Sequence, residues 1–102
     1  MPKFTELDAQ IIEQAAIMMK AIAHPVRLTI LGHLSEGKDL TVTAIHESVG
    51  IEQSTASHHL GILKDKGIVL SRREGKNTYY TLKNKNLKNL VDCISVCACI
   101  DE

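Results

Sequence analysis

The sequence predicts a mainly helical fold, α+β in class, with five helices and a two-stranded β-hairpin in the order α-α-α-α-β-β-α. Three observations predict it. Apolar residues recur at three- and four-residue steps in five stretches of the 102-residue chain. His24-Pro25, Gly50 and Lys66-Gly67 break those stretches with residues that stop or start helices. Residues 68–82 then switch to β-branched and aromatic residues around Gly75-Lys76-Asn77, the pattern of a hairpin. Two short helices, a tight turn and a basic hairpin in succession make a winged helix-turn-helix.

Thr5-Glu6 resembles the start of the first helix, whose stripe is Leu7, Ile11, Ile12, Ala15, Met18, Met19 and Ile22. That stripe is too wide for one small core to hide, so part of it is expected to meet a second chain. The residue before a proline is pushed out of the helical region, so the helix ends at His24-Pro25. Pro25 suits the first turn of the next helix, which runs through Val26, Leu28, Ile30, Leu31 and Leu34 toward Gly37. A third helix covers about Val42 to Val49, with Gly50 as its C-terminal turn residue, and the fourth follows within a few residues. Asn84 is placed as the cap of a last helix through Leu87, Leu90, Val91, Ile94 and Ala98. The whole chain, 1–102, reads as one domain: dimerisation helices at 1–23 and 84–100, helix-turn-helix at 40–66, wing at 68–82.

Composition narrows the function. Hydrophobic residues make up 44% but aromatics only 3%, which suits an aliphatic helical core and not a large ligand pocket. No apolar run approaches the roughly 20 residues of a membrane span, and no secretory signal opens the chain, so a cytoplasmic location and no membrane partner are expected. Three cysteines clustered at one end argue for reduced thiols and against a disulfide framework. The net charge of zero hides segregation: residues 52–88 hold eight Lys and Arg against three Asp and Glu. Phosphate attraction supplies most of the sequence-independent affinity of DNA-binding proteins, and here the positive charge sits on the fourth helix and the hairpin.

The fourth helix carries the most telling pattern. Ala56, Leu60 and Leu63 form its apolar face, while Gln53, Ser54, Ser57, His58 and Gly61 lie opposite. Short hydrogen-bonding side chains suit an element that enters a DNA groove and reads base edges, where an ordinary surface helix would carry Glu and Lys.

Three segments carry a family resemblance. They are Ala21-Ile22-Ala23-His24-Pro25-Val26-Arg27-Leu28-Thr29-Ile30-Leu31, Gln53-Ser54-Thr55-Ala56-Ser57-His58-His59-Leu60, and Arg72-Arg73-Glu74-Gly75-Lys76-Asn77-Thr78-Tyr79-Tyr80. In this order and spacing the chain resembles the ArsR/SmtB family of winged-helix repressors over nearly its whole length. The resemblance implies a homodimer formed by the first and last helices, bound to double-stranded operator DNA at an imperfect inverted repeat and released by an inducer. Carried over by position, Gln53, Ser54, Ser57 and His58 match the family's major-groove contacts, with Thr55 counted beside them, and Arg72, Arg73 and Lys76 match its wing. Two reading helices in one dimer would then stand about 34 Å apart, one turn of DNA.

Family members differ in their sensing site. Thr41 and Thr43 stand where a common Cys-x-Cys metal site would lie, and no histidine follows His59 to build the zinc site of the last helix. Gly32 and His33 stand where the sulfide-responsive relatives place a cysteine. What remains is Cys93, Cys97 and Cys99. At about 100° per residue, Cys93 and Cys97 lie on one helix face, while Cys99 points elsewhere unless the helix unwinds or it serves the partner chain. Soft-ligand logic favours a thiolate site for As(III) or Sb(III) as inducer, with no cofactor required. Zn(II) or Cd(II) on the three thiolates plus Asp101 is the minor option, a thiol redox or persulfide switch is another, and cysteines that only pack a further one. Among the five histidines, His58 is expected at DNA, His59 in packing or solvent, and His24, His33 and His46 as surface or capping residues; a metal site centred on His33 is a remote option. Met18-Met19 is read as dimer packing. No enzyme is expected: no Arg or His follows Cys93 to form an anion-binding loop, and no paired carboxylates mark a cleft. A winged-helix module for protein partners remains as the rival class.

Overall fold

A computed structural model describes residues 3–99. Its order is α1 (Ala9–Ile22), α2 (Pro25–Leu34), β1 (Leu40–Thr41), α3 (Val42–Val49), α4 (Gln53–Asp65), β2 (Val69–Glu74), β3 (Asn77–Leu82) and α5 (Leu87–Ala98), preceded by one 3-10 turn at Phe4–Glu6. The winged helix-turn-helix with five helices is therefore present as the sequence predicts.

Local chemistry accounts for the boundaries. α1 starts after Asp8, whose carboxylate accepts from the Ile11 N–H at 2.9 Å, so the helix begins later than Thr5-Glu6 and those residues form the 3-10 turn. His24 closes the gap to α2: its Nδ1 accepts from the Val26 N–H at 3.1 Å, and Pro25 fills the first helical position. The chain bends by 96° between α1 and α2. Thr41 caps α3 by accepting from the Ala44 N–H at 3.1 Å. The turn between α3 and α4 rests on Gly50, whose φ of 80° is a left-handed conformation that a side chain disfavours. His46 secures the same turn, its Nδ1 bonded to the Ile51 carbonyl at 3.1 Å. At α5 the cap position belongs to Asn86, not Asn84; the Asn84 side chain instead accepts from the Asn86 N–H in an Asx turn.

β2 and β3 pair antiparallel from Val69↔Leu82 to Glu74↔Asn77. The two-residue loop Gly75-Lys76 has its left-handed φ of 61° at Gly75 alone, as a type II′ turn requires. Beyond the expected hairpin, β1 adds a third strand: Leu40 pairs with Tyr80 and Thr41 with Tyr79, giving the order β1-β3-β2. This strand roots the wing in the segment leading to α3.

The core is aliphatic throughout. Ile30, Leu31 and Leu34 of α2, Ile45 of α3, Leu60 and Leu63 of α4, and Ile68 and Val69 at the wing root are almost wholly buried. Ile12 and Met19, seven residues apart on one stripe of α1, remain 41% and 56% exposed, and Val96 of α5 is 76% exposed. Met19 and Ile22 of α1, Leu28 of α2, and Leu90 and Ile94 of α5 line an apolar groove of about 140 Å³. Among the described residues no single helix is long and apolar enough to cross a membrane.

Candidate nucleic-acid interface

α4 lies in the structure as its pattern demands. Ala56, His59, Leu60 and Leu63 are buried, whereas Gln53, Ser54, Thr55, Ser57, His58 and Gly61 are exposed. At about 100° per residue the exposed arc runs from Gln53 through Ser57, Gly61 and Ser54 to His58, with Thr55 on its flank beside His59. Lys64 falls within the same arc one turn beyond Gly61, and Lys76 at the wing tip is also exposed. His59 packs inward, which settles the choice between packing and solvent.

The first turn of α4 meets the wing tip. Gln53, Lys76, Asn77 and Thr78 line a cleft of about 130 Å³ together with Thr43 of α3. Amide, hydroxyl and ammonium donors gather there with no carboxylate among the lining residues, and such donors suit a phosphate oxygen. Thr43 and Asn77 are not among the DNA contacts that the sequence predicts. The signal lay in the first turn of α3 at Thr43 and the turn at Asn77, but only the pairing of β1 with β3 brings the two together.

The wing arginines differ. Side chains alternate along β2, so Arg72 and Arg73 stand on opposite faces of the ribbon. Arg72 is occupied within the protein. It forms an ion pair with Asp39, donates to Glu74 at 3.0 Å, and lies 4.9 Å from the centre of the Tyr79 ring directly across the ladder. Its hydrogen bond to Asp39 raises the guanidinium's pKa and, from the other side, holds the Asp39 carboxyl below its usual range. Arg73 makes one bond, a long one of 3.4 Å from Nε to the Gly75 carbonyl. Arg73 and Lys76 are thus the wing cations without a carboxylate partner among the described residues.

Cys93 and Cys97 sit one turn apart on α5, and both are exposed. Cys99 is exposed too, but α5 ends at Ala98 and Cys99 is extended, with φ −66° and ψ 123°. Among the described residues of one chain, the three thiols do not converge with each other or with His, Asp or Glu into a metal-sized cluster. Cys93 and Cys97 share one face of α5, and the third thiol has left the helix. Asp101 lies outside the described residues.

A polar helix face set beside a basic β wing defines the class as a winged helix-turn-helix regulator. A family model described as a helix-turn-helix domain matches residues 22–72. The regulator NmtR of Mycobacterium tuberculosis is 40% identical over 84% of this chain and 71% of its own length. The biofilm growth-associated repressor of Xylella fastidiosa is 35% identical over 87% of this chain and 77% of its own. The solved homodimeric winged helix-turn-helix DNA-binding domain from Mycobacterium bovis superposes with a TM-score of 0.79 at 35% identity, covering 94% of this chain and 90% of that one. The chain belongs to the ArsR/SmtB family of winged helix-turn-helix transcriptional regulators. These relatives are regulators rather than enzymes, in line with the sequence reading.

Proposed function

We propose that the chain is a homodimeric repressor that sets two copies of α4 into successive major grooves of an inverted-repeat operator. The observation that carries this is the exposed arc of α4, short and polar, lying beside a carboxylate-free cleft and a basic wing tip. The apolar stripe of α1, left open beside α5, supports pairing through those two helices. The homodimeric state of the Mycobacterium bovis domain supports the same arrangement. A protein-interaction module would have no use for a cleft of phosphate donors at the foot of the reading helix.

The contacts divide by what they read. Gln53, Ser54, Ser57 and His58 face base edges, Thr55 flanks them, and Lys76 and Arg73 serve phosphates. Arg72 acts from its ion pair with Asp39. Titrating the purified dimer onto an operator duplex, followed by fluorescence anisotropy across a salt series, tests the division. Gln53→Ala is expected to relax sequence preference. Lys76→Ala is expected to weaken all sequences alike and to reduce the salt slope by about one. A salt-independent interaction would overturn the reading, because binding through several phosphates must weaken steeply as salt rises.

For the inducer, the exposed Cys93 and Cys97 support a thiophilic ligand, trivalent arsenic or antimony, held by those thiolates. Cys99, already outside the helix, supplies the third thiolate by folding back or from the partner chain. Zinc or cadmium would need a fourth ligand that the described part of one chain does not bring near. The experiment is the same titration repeated with arsenite, zinc and a persulfide donor on reduced protein. Release by arsenite that disappears in Cys93→Ser, with repression intact, is the expected result. Release only by the persulfide donor would make the thiols a redox switch, and no release by any of the three would leave them as packing residues.

A further inference from the structure

Arg27, His59 and His24 form a cluster that no contact with DNA uses. His59, on the inward side of the reading helix, is 8% exposed and is the buried polar residue among the described ones. Arg27 of α2 donates from Nε to His59 Nδ1 at 3.2 Å and from a terminal nitrogen to the Ala21 carbonyl at 3.0 Å. One guanidinium therefore ties the last turn of α1 to the middle of α4. The His24 ring lies 4.6 Å from the His59 ring, centre to centre, and its Nδ1 is the acceptor that caps α2. His58 meets the same ring edge-on at 5.4 Å.

Both inner imidazoles use the Nδ1 lone pair as an acceptor, and an imidazolium has none. A proton on His59 removes the acceptor of Arg27 and sets a cation against the guanidinium. The groups that act on His59 are His24 at the cap of α2, Arg27 of α2 and His58 of α4 itself; α1 contributes the neutral Ala21 carbonyl, bonded to Arg27. None of those groups is a carboxylate, so the new charge finds no partner. Burial first, then His24, Arg27 and His58, hold the His59 pKa below the ordinary histidine value. The unfolded chain accepts this proton near pH 6.5, the folded chain only at lower pH. The stabilising effect of neutral His59 is therefore full above pH 6.5 and is lost as the pH falls through the lowered value.

We propose that Arg27, His59 and His24 are positioning residues that couple α1 to the reading helix, and that the coupling holds only while the His59 imidazole is neutral, so that acid releases the operator. The proposal rests on the reading of the chain as a DNA-binding dimer. The setting of α1 bears on where α4 stands in the dimer, and Arg27 hydrogen-bonds to both helices. Attraction for phosphate comes from the exposed face of α4 and the wing, outside this coupling. Acid should therefore lower affinity for operator while leaving or raising affinity for unrelated DNA.

The test uses the full chain and a duplex selected from a random-sequence pool at about pH 8, with a scrambled duplex as control. Anisotropy is read at constant ionic strength down to about pH 5.5, while circular dichroism confirms that helix is retained. Operator affinity is expected to fall about tenfold or more, and scrambled-duplex affinity to hold or rise. His59→Asn keeps an acceptor near the Nδ1 position but cannot titrate, so the ratio of its affinities at the two pH values should be close to one. In the wild type, amide shifts in α4 and in the last turn of α1 should follow the His59 titration. The proposal is overturned if operator affinity does not fall, if both duplexes weaken together, or if His59→Asn keeps the full pH dependence. No sequence preference even at pH 8 would instead sink the repressor reading, and the coupling with it.

Discussion

Leu60→Ala is expected to lower the free energy of unfolding by about 2–5 kcal/mol. Leu60 is fully buried in the middle of α4, within a cluster that joins α2, α3, α4 and the wing root. Alanine is the better helix former, so helix propensity does not add to the loss. The whole cost comes from lost apolar transfer and from the cavity left among rigid neighbours. A domain of this size has roughly 5–15 kcal/mol in all, so the loss takes a large share. Urea unfolding followed by circular dichroism should show a lower midpoint at unchanged slope. A cost under about 1 kcal/mol would mean that the neighbours collapse into the space and that the core is slack beneath the reading helix.

The second large effect lies on the exposed stripe of α1. Replacing Ile12 and Met19 together by Asp should convert the dimer to a monomer while leaving the fold in place. Both side chains are exposed in the single chain, and Met19 also borders the apolar groove shared with α5. A charge on that face keeps its water in the monomer and loses it in the dimer, so the substitution acts on association alone. Operator affinity should fall about 10²–10⁴-fold, because each reading helix then loses the second as its tethered neighbour. Light scattering coupled to size exclusion reads the mass directly. A variant that stays dimeric would place the interface elsewhere and detach the α1 stripe from assembly.

Much of the architecture could be read from the chain because the deciding signals were local. Pro25 fixes φ through its ring, Gly50 and Gly75 admit the left-handed φ that other residues disfavour, and each stands where a boundary or turn falls. The stripe Ala56, Leu60, Leu63 and its polar opposite face needed only helical geometry. What escaped depends on partners distant in sequence. β1 is two residues long and is a strand only because Tyr79 and Tyr80 lie alongside it. Asp39 and Arg72 are 33 positions apart, so a basic wing residue could not be recognised as half of an ion pair. His59 gave no sign that Arg27, 32 positions earlier, would meet it. The start of α1 falls at Asp8 and not at Thr5-Glu6; Thr and Asp are both capping residue types, and only the 3-10 geometry of the preceding turn separates them.

The II′ turn at Gly75 has a consequence for which of two neighbouring cations the protein keeps available. A ladder slipped by one residue turns every side chain of β2 to the other face. Arg73 would then stand over Tyr79 toward Asp39, and Arg72 would be the one released. The two residues are chemically identical and adjacent, so nothing in their side chains distinguishes them. Their difference in role is stored in the parity of the hairpin, which one glycine without a Cβ maintains. A pairing slipped by one residue, with the sequence itself untouched, would exchange the tethered arginine and the unpaired one.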